Sequence, residues 1–336
     1  MNFVFDRNER VYIVGNVDGS SNPAFETVAD SPTNSDYVCA ISFDANSPSE
    51  NLENPCKTGS LSKLAGVRGR STGRCSLVLP VQGSGTAGTA PDMGPALSAW
   101  FGANPTISGG VSVTYALSDT AASVTAWSYV TPSGGSHRCA WGFMPDEIVF
   151  QASAQLAQVT ISGPCCFVID SNVFSSLTTA EKGGLSSFPA EPGSPAGTGS
   201  PVAGFIGSIT IDGVSTHYLE SWTLTIRKGV SIDHAYNSYV ATIPSQSRRT
   251  IQLDYTLADT DDASLTALKA KLLLQTAHDV TIVQGTTAGN IWTHTLQNLQ
   301  GQYSYAAGGN RRNVRFTGTA SSDSATANNE YGLVLT

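Results

Sequence analysis

Charged side chains are scarce in this chain: Asp, Glu, Lys and Arg make up 13% of its 336 residues and leave a net charge of −8. With few cations and an acidic balance, the chain is poorly suited to holding nucleic acid without regard to sequence. It cannot neutralise many phosphates or release their counterions. The imbalance is local. Residues 1–60 carry nine acidic and three basic side chains, while residues 61–336 carry 17 and 15. Long apolar runs are missing too, and none approaches the ~20 residues that cross a bilayer as a helix. The first residues lack a basic-then-apolar leader. The expectation is synthesis in the cytosol with no membrane anchor.

Metal-binding and catalytic spacings are also missing. The six cysteines (Cys39, Cys56, Cys75, Cys139, Cys165 and Cys166) form no C-x-x-C or C-x-x-H pair, and the adjacent Cys165 and Cys166 suit neither a disulfide nor a zinc knuckle. Buried or half-buried free thiols of a reducing compartment are expected. His137, His217, His234, His278 and His294 are scattered, with no H-x-x-x-H pair. The Gly-rich run 83–95 lacks the Gly-Lys-Ser/Thr ending of a phosphate cradle. Gly83-Ser84-Gly85 and Gly134-Gly135-Ser136 lack the spacing of a nucleophile elbow. Asp261 and Asp262 read as a helix cap, and Asp146-Glu147 as a solvated turn. Glycoside hydrolysis would need two placed carboxylates flanking a cleft. No catalytic, cofactor-binding or metal-binding residue is assigned, and the chain is not expected to be an enzyme.

What the chain does have is glycine, 33 residues of it, and many Ser, Thr, Ala and Val, the composition of short strands joined by tight turns. It also has an internal repeat. Residues 123–127 align with 279–283 at an offset of 156, whereas 148–152 with 303–307 and 159–163 with 314–318 share an offset of 155. A β-rich unit written twice suggests an object built from equivalent surfaces. The strand at 37–43 stands where 218–224 stands, and 74–79 where the strand beginning at Arg249 stands. Ile251, Leu253, Tyr255 and Leu257 share one face of that strand. Each half holds one helix. The first lies over 91–101 with Leu97, Trp100 and Phe101 inward. The second follows the Asp261-Asp262 cap with Leu265, Leu268, Leu272 and Leu273 inward. The strand over 111–117 has no counterpart. The run 188–201, with Pro and Gly throughout, reads as an exposed linker or long surface loop. The chain is therefore expected to be mainly β. A first β domain spans 1–170 and includes an acidic arm over about 1–35, a connection spans 171–204, and a second β domain spans 205–336. Each domain is expected to be a β-sandwich or barrel unit flanked by one α-helix.

The Gly/Ser/Thr/Ala loop over 83–95, followed by Leu97 and Gly102, resembles the tail tube proteins (major tail proteins) of long-tailed siphophages. The run 283–290 and the strands over 109–115 and 219–229 resemble the same family. The likeness covers roughly 35–336. Trp100 and Phe101 stand where the family favours smaller residues, and the connection before Gly204 is long. The resemblance implies a virion structural protein of the phage tail. Its sheet edges would pair into rings, and the rings would stack into the tube that conducts the genome during ejection. Single-unit relatives close as six-fold rings, so a two-unit chain implies a homotrimer with pseudo-hexameric symmetry. The implied partners are further copies of the chain and the tape-measure, tail-terminator and tail-tip proteins, with DNA passing the lumen unbound. The acidic or small polar residues would line that lumen. The arm, around 19–34, would order against a neighbour, where the doublets Arg248-Arg249 and Arg311-Arg312 are docking candidates; solvent-facing strand ends are the plainer reading of those doublets. The alternative is a β-sandwich binding module of a tail tip, decoration or adhesin protein.

Overall fold

A computed structural model describes residues 9–15, 28, 31–54, 65–120, 122–130, 135–152, 155–193, 197, 199–215, 218–308, 311–324 and 328–336. The chain is mainly β, as its composition predicts. It begins with β1 (Glu9–Gly15), then a 3-10 turn (Asn34–Asp36), β2 (Tyr37–Val38) and β3 (Ser42–Asn46), followed by the antiparallel pair β4 (Ser49–Leu52) and β5 (Val67–Ser71). Next come β6 (Gly73–Pro80), helix α1 (Gly94–Phe101), β7 (Thr106–Ser108), β8 (Ser112–Ala116), β9 (Val124–Val130), β10 (Arg138–Phe143), β11 (Glu147–Ala152), β12 (Gln158–Cys165) and β13 (Phe167–Asp170). A connection opening with a 3-10 turn (Ser171–Ser176) leads to β14 (Gly207–Ile211), β15 (Leu219–Arg227), β16 (Val230–His234) and β17 (Ala241–Gln246). The chain ends with β18 (Thr250–Ala258), helix α2 (Ala263–Leu273), β19 (His278–Gln284), β20 (Trp292–Gly308), β21 (Arg311–Thr319) and β22 (Tyr331–Leu335).

The strands of one long antiparallel sheet run β3-β6-β12-β11-β15-β18-β21-β20. The first four and the last four are connected alike: in chain order each set supplies its first, second, fourth and third strand. The two sets meet where β11 pairs with β15, Phe150 opposite Leu224. Beyond residue 299, β20 pairs with β21; before it, the same strand lies between β19 and β22. The strand therefore passes from one layer to the other. Asn298, at φ 50, sits at the change, and Asn tolerates that left-handed conformation better than most residues. A five-stranded sheet, β13-β10-β9-β1-β2, forms the corresponding second layer of the first half.

Period-two alternation places the core. On the long sheet Leu77, Ile148, Ile161, Leu224, Leu253 and Phe316 point inward, against Ile13, Ala126, Ile282, Leu296 and Leu333 of the other layer. Helix α1 is buried almost all round. Pro95 occupies its first turn, where the missing N–H costs nothing, and Gly102 ends it at φ 76. Trp100 and Phe101 meet edge to face at 5.0 Å, and Phe101 stacks on Tyr331 from the chain's far end. These bulky residues thus tie the two halves together. Asp262 caps α2 by accepting from the Ser264 N–H at 3.0 Å. Leu265, Leu268 and Leu272 are buried, but Leu273 faces solvent. The helix meets the strands with a narrower stripe than the leucine spacing suggests.

Two segments differ from expectation. Within the arm expected over 1–35, Glu9–Gly15 is a core strand, because the apolar run at Val11–Val14 pairs with β9 along its whole length. Residues 1–8, 16–27 and 29–30 lie outside the described residues, and so does most of the 19–34 segment. The connection is also more packed than its Pro/Gly content implies. Phe174, Leu177, Leu185 and Phe188 cover a second cluster around Tyr12, Trp127, Tyr129 and Trp141. Glu181 is buried, accepts from Arg68 at 2.5 Å and presents its carbonyl to the Trp141 indole N–H at 3.1 Å. Residues 194–196 and 198 are outside the described set.

Candidate assembly surface

The residue types on the outward side of the long sheet are small and polar. β12 presents Gln158, Thr160 and Ser162; β15 presents Ser221, Thr223 and Thr225; β21 presents Thr317 and Thr319. Two of the cations on this face are paired across strands, while Arg74 of β6 and Asp44 of β3 are also exposed there. Arg227 meets Glu147 at 2.8 Å across the β11–β15 junction, and Arg315 lies 3.7 Å from Asp254. Such exposed pairs contribute little stability, but they leave the face with no concentrated charge.

Both ends of this sheet are open among the described residues. β3 pairs only with β6, and residues 300–308 of β20 pair only with β21. A sheet edge with unpaired N–H and C=O groups is a template for another strand. At the β20 edge Tyr305 remains half exposed, with the Arg312 guanidinium 4.5 Å above its ring. Lys269 at 2.6 Å and Arg312 at 2.5 Å hold the Asp259 carboxyl below the usual carboxylate range.

The residues weighed as catalytic or ligating groups are spent on structure. The Asp146 carboxylate accepts from the Val230 N–H at 2.7 Å and its carbonyl from the Lys228 N–H at 2.9 Å. The expected solvated turn therefore clamps the two halves of the sheet. Asp262 caps α2, and Asp261 makes no part of that cap. His137 accepts from the Val130 N–H, His234 lies 2.8 Å from the Ser71 carbonyl, and His278 lies beside Tyr255. His294 is fully buried 2.9 Å from the Tyr331 hydroxyl, and burial pushes its pKa down to about 3. His217 lies outside the described residues. Cys75, Cys139, Cys165 and Cys166 are buried and Cys39 is exposed, all as free thiols, while Cys56 is outside the described set. Burial raises the Cys75, Cys139 and Cys165 thiols, which makes them poor nucleophiles. Among the described residues no three His, Cys, Asp or Glu side chains are grouped to hold a metal.

The glycine loops join one another. Gly83 N–H donates to Asn290 Oδ1 at 2.9 Å, and Gly85 N–H to the Gly289 carbonyl at 3.2 Å. A Cβ on Gly83 would stand 1.9 Å from the Gly289 oxygen, so only glycine permits this approach. Of the arginine doublets, Arg249 is only 8% exposed and binds Glu330, Asn328, Asp119 and the Ser118 carbonyl. Arg248 lines an open cavity beside it. Arg312 is engaged with Asp259.

Sequence reading missed Lys228. Its ammonium is buried without a hydrogen-bond partner, 5.4 Å over the Trp100 ring. It follows a regular strand, so nothing in the local pattern marks it as buried. A second group without a sequence signal is the groove of about 520 Å³ between β4–β5 and the β16–β17 turn, where Tyr236 is 98% exposed. Comparison with protein-family models and with curated proteins finds no match to this chain.

Proposed function

We propose that this chain is the structural subunit of a siphophage tail tube, whose copies join into rings that stack around the exiting genome. The observation that carries the reading is the β11–β15 junction. It joins two identically ordered four-stranded sets edge to edge, while among the described residues β3 and residues 300–308 of β20 have no second partner strand. A further copy can repeat outside the chain the joint made within it, and a head-to-tail contact whose rotation closes gives a ring.

Register makes the joint specific. Val149 faces Thr160 as Ser304 faces Arg315, so β11 maps onto β20 at an offset of 155. Ile161 faces Leu77 and Phe316 faces Tyr255. In turn, Phe43 faces Leu77 as Trp222 faces Tyr255, so β3 maps onto β15 at an offset of 179. Transferring the β11–β15 register puts Tyr305 opposite Ala45 of the next copy, Ser304 opposite Asn46 and Ala306 opposite Asp44. Two sets per chain and six positions per ring give three chains. The role is architectural rather than enzymatic, and the partners are the other copies and the proteins that measure, end and tip the tail. Electron microscopy of the purified chain tests this, with rings or tubes of three chains expected. Six chains per ring with 205–336 outside the inner barrel would overturn the stoichiometry. The second reading, a β-sandwich binding module, is favoured by the exposed Tyr236 and Tyr239 beside Leu52 and Val67; discrete monomers in the same images would support it.

A further inference from the structure

Within the chain, the β16–β17 pair of the second half is seated on the first. The Ser71 N–H donates to the Tyr239 carbonyl at 2.9 Å, His234 Nε2 lies 2.8 Å from the Ser71 carbonyl, and Ser71 bridges to Val240. Val230, Ile232, Val240 and Ala241 are buried there with Trp141, Met144 and Cys166.

The same place exists on the second half, and none of the described residues forms an element seated there. Gly73 stands opposite Cys165, and correspondingly the Ala320 N–H donates to the Ile251 carbonyl at 2.9 Å. Ser71 and Cys166 therefore correspond to Arg249 and Ser321. Around these two lies an open cavity of about 560 Å³, also lined by Gln246, Ser247, Arg248 and Glu330. Gln246 Oε1 and Glu330 Oε2 are buried with no hydrogen-bond partner. Unsatisfied buried acceptors are costly, and these two belong to a surface shaped for donors.

The counterpart of β16–β17 is β4–β5, since each pair lies between the first and second strand of its set. β16 buries Val230 and Ile232, whereas all four residues of β4 are exposed. The cross-strand pair Leu52 and Val67 is 54% and 63% exposed. One edge of β4–β5 is held in its own chain, through Arg68 on Glu181 and Ser71 on Tyr239, but its Leu52–Val67 face is uncovered, and the Arg249 cavity holds no corresponding element among the described residues.

We propose that the Arg249 cavity receives the β4–β5 pair of the next copy, with Leu52 and Val67 covered there and the Asn51 amide available to the orphaned acceptors. The proposal rests on the joining of β20 to β3, because that joint brings the next copy's β4 to this cavity as β15 brings β16 to Ser71.

The test pairs Leu52→Cys with Ser321→Cys in a background lacking Cys39 and Cys56 (Cys39→Ser, Cys56→Ser), oxidised after assembly, and separately fills the cavity with Ser321→Trp. Chains linked to one another are expected in the double variant and in neither single one. Ser321→Trp is expected to unfold as wild type does, yet to need about tenfold more protein to assemble. Wild-type rings with no such linkage, and with Ser321→Trp assembling normally, would sink the seat and spare the tube reading. Wild type that never forms rings would sink both.

Discussion

Lys228 is the residue with the clearest energetic signature. Burial lowers its pKa from 10.5 to about 8, with Arg249 adding to the effect and Asp119 opposing it. Between these values the unfolded chain holds a proton that the folded chain has released. Stability due to this residue therefore rises with pH from about 8 to about 10.5, and the burial penalty is fully present below pH 8. The raised cysteine thiols act in the opposite sense, since the unfolded state loses their protons first. The difference between wild type and Lys228→Met isolates the lysine. The variant is expected to be more stable by up to about 3 kcal/mol at pH 7, less whatever the Trp100 contact contributes. That gain should fade toward pH 10.5. Urea midpoints at pH 7 and pH 10 measure it, and an equal difference at both would contradict the assignment.

At the scale of the strand, the β20 edge carries a register that charge can probe. In the proposed joint, Ala306 would stand opposite Asp44 of the next copy. Both are away from the core in the single chain, so substitution there spares the fold. Ala306→Asp places like charges opposite one another, worth about 0.2–1 kcal/mol per joint and multiplied around a ring. Assembly followed by light scattering should weaken for Ala306→Asp and recover when Asp44→Lys is added. No recovery would mean that the register is different. Gly163 and Gly318 illustrate the same layout from inside: a Cβ would stand 2.0 Å from the Met144 carbonyl at the first and 2.9 Å from Leu299 Cγ at the second. Both mark the place where the chain crosses between layers.

For the whole molecule, the proposed tube role requires that DNA, with about one negative charge per 1.7 Å, pass without being gripped. On the outward face of the long sheet Ser, Thr and Gln predominate, Arg227 and Arg315 are paired with carboxylates, and Arg74 adds one further exposed cation. Such a face has few counterions to displace. Fluorescence anisotropy with duplex DNA at physiological salt should show no binding tighter than about 10⁻⁶ M, the upper range of non-specific affinities. Tighter, salt-sensitive binding would argue against this face as a DNA channel.

The strands were legible because their signal is local. Ile251, Leu253, Tyr255 and Leu257 alternate inward, as do Trp222, Leu224 and Ile226, and a cap at Asp261 or Asp262 and the 155-residue offset of 148–163 could be read by position alone. The offset recurs in the pairing of β11–β12 and β20–β21. Other features depend on residues far apart in the chain. Asp146 looks like a turn residue until Val230 is placed beside it, Arg249 looks like a strand end until Glu330 and Asp119 close on it, and the Gly/Pro-rich connection looks exposed until Phe188 meets Trp127. The sequence by itself determined most strands and their apolar faces, because side-chain period is a property of neighbours, but not that the expected strand 37–43 divides into β2 and β3 on different sheets. Only the tertiary structure decided that β11 joins β15, that β3 and residues 300–308 of β20 have one neighbour among the described strands and that Lys228 is buried, because pairing and burial are settled by contacts between segments tens to hundreds of residues apart.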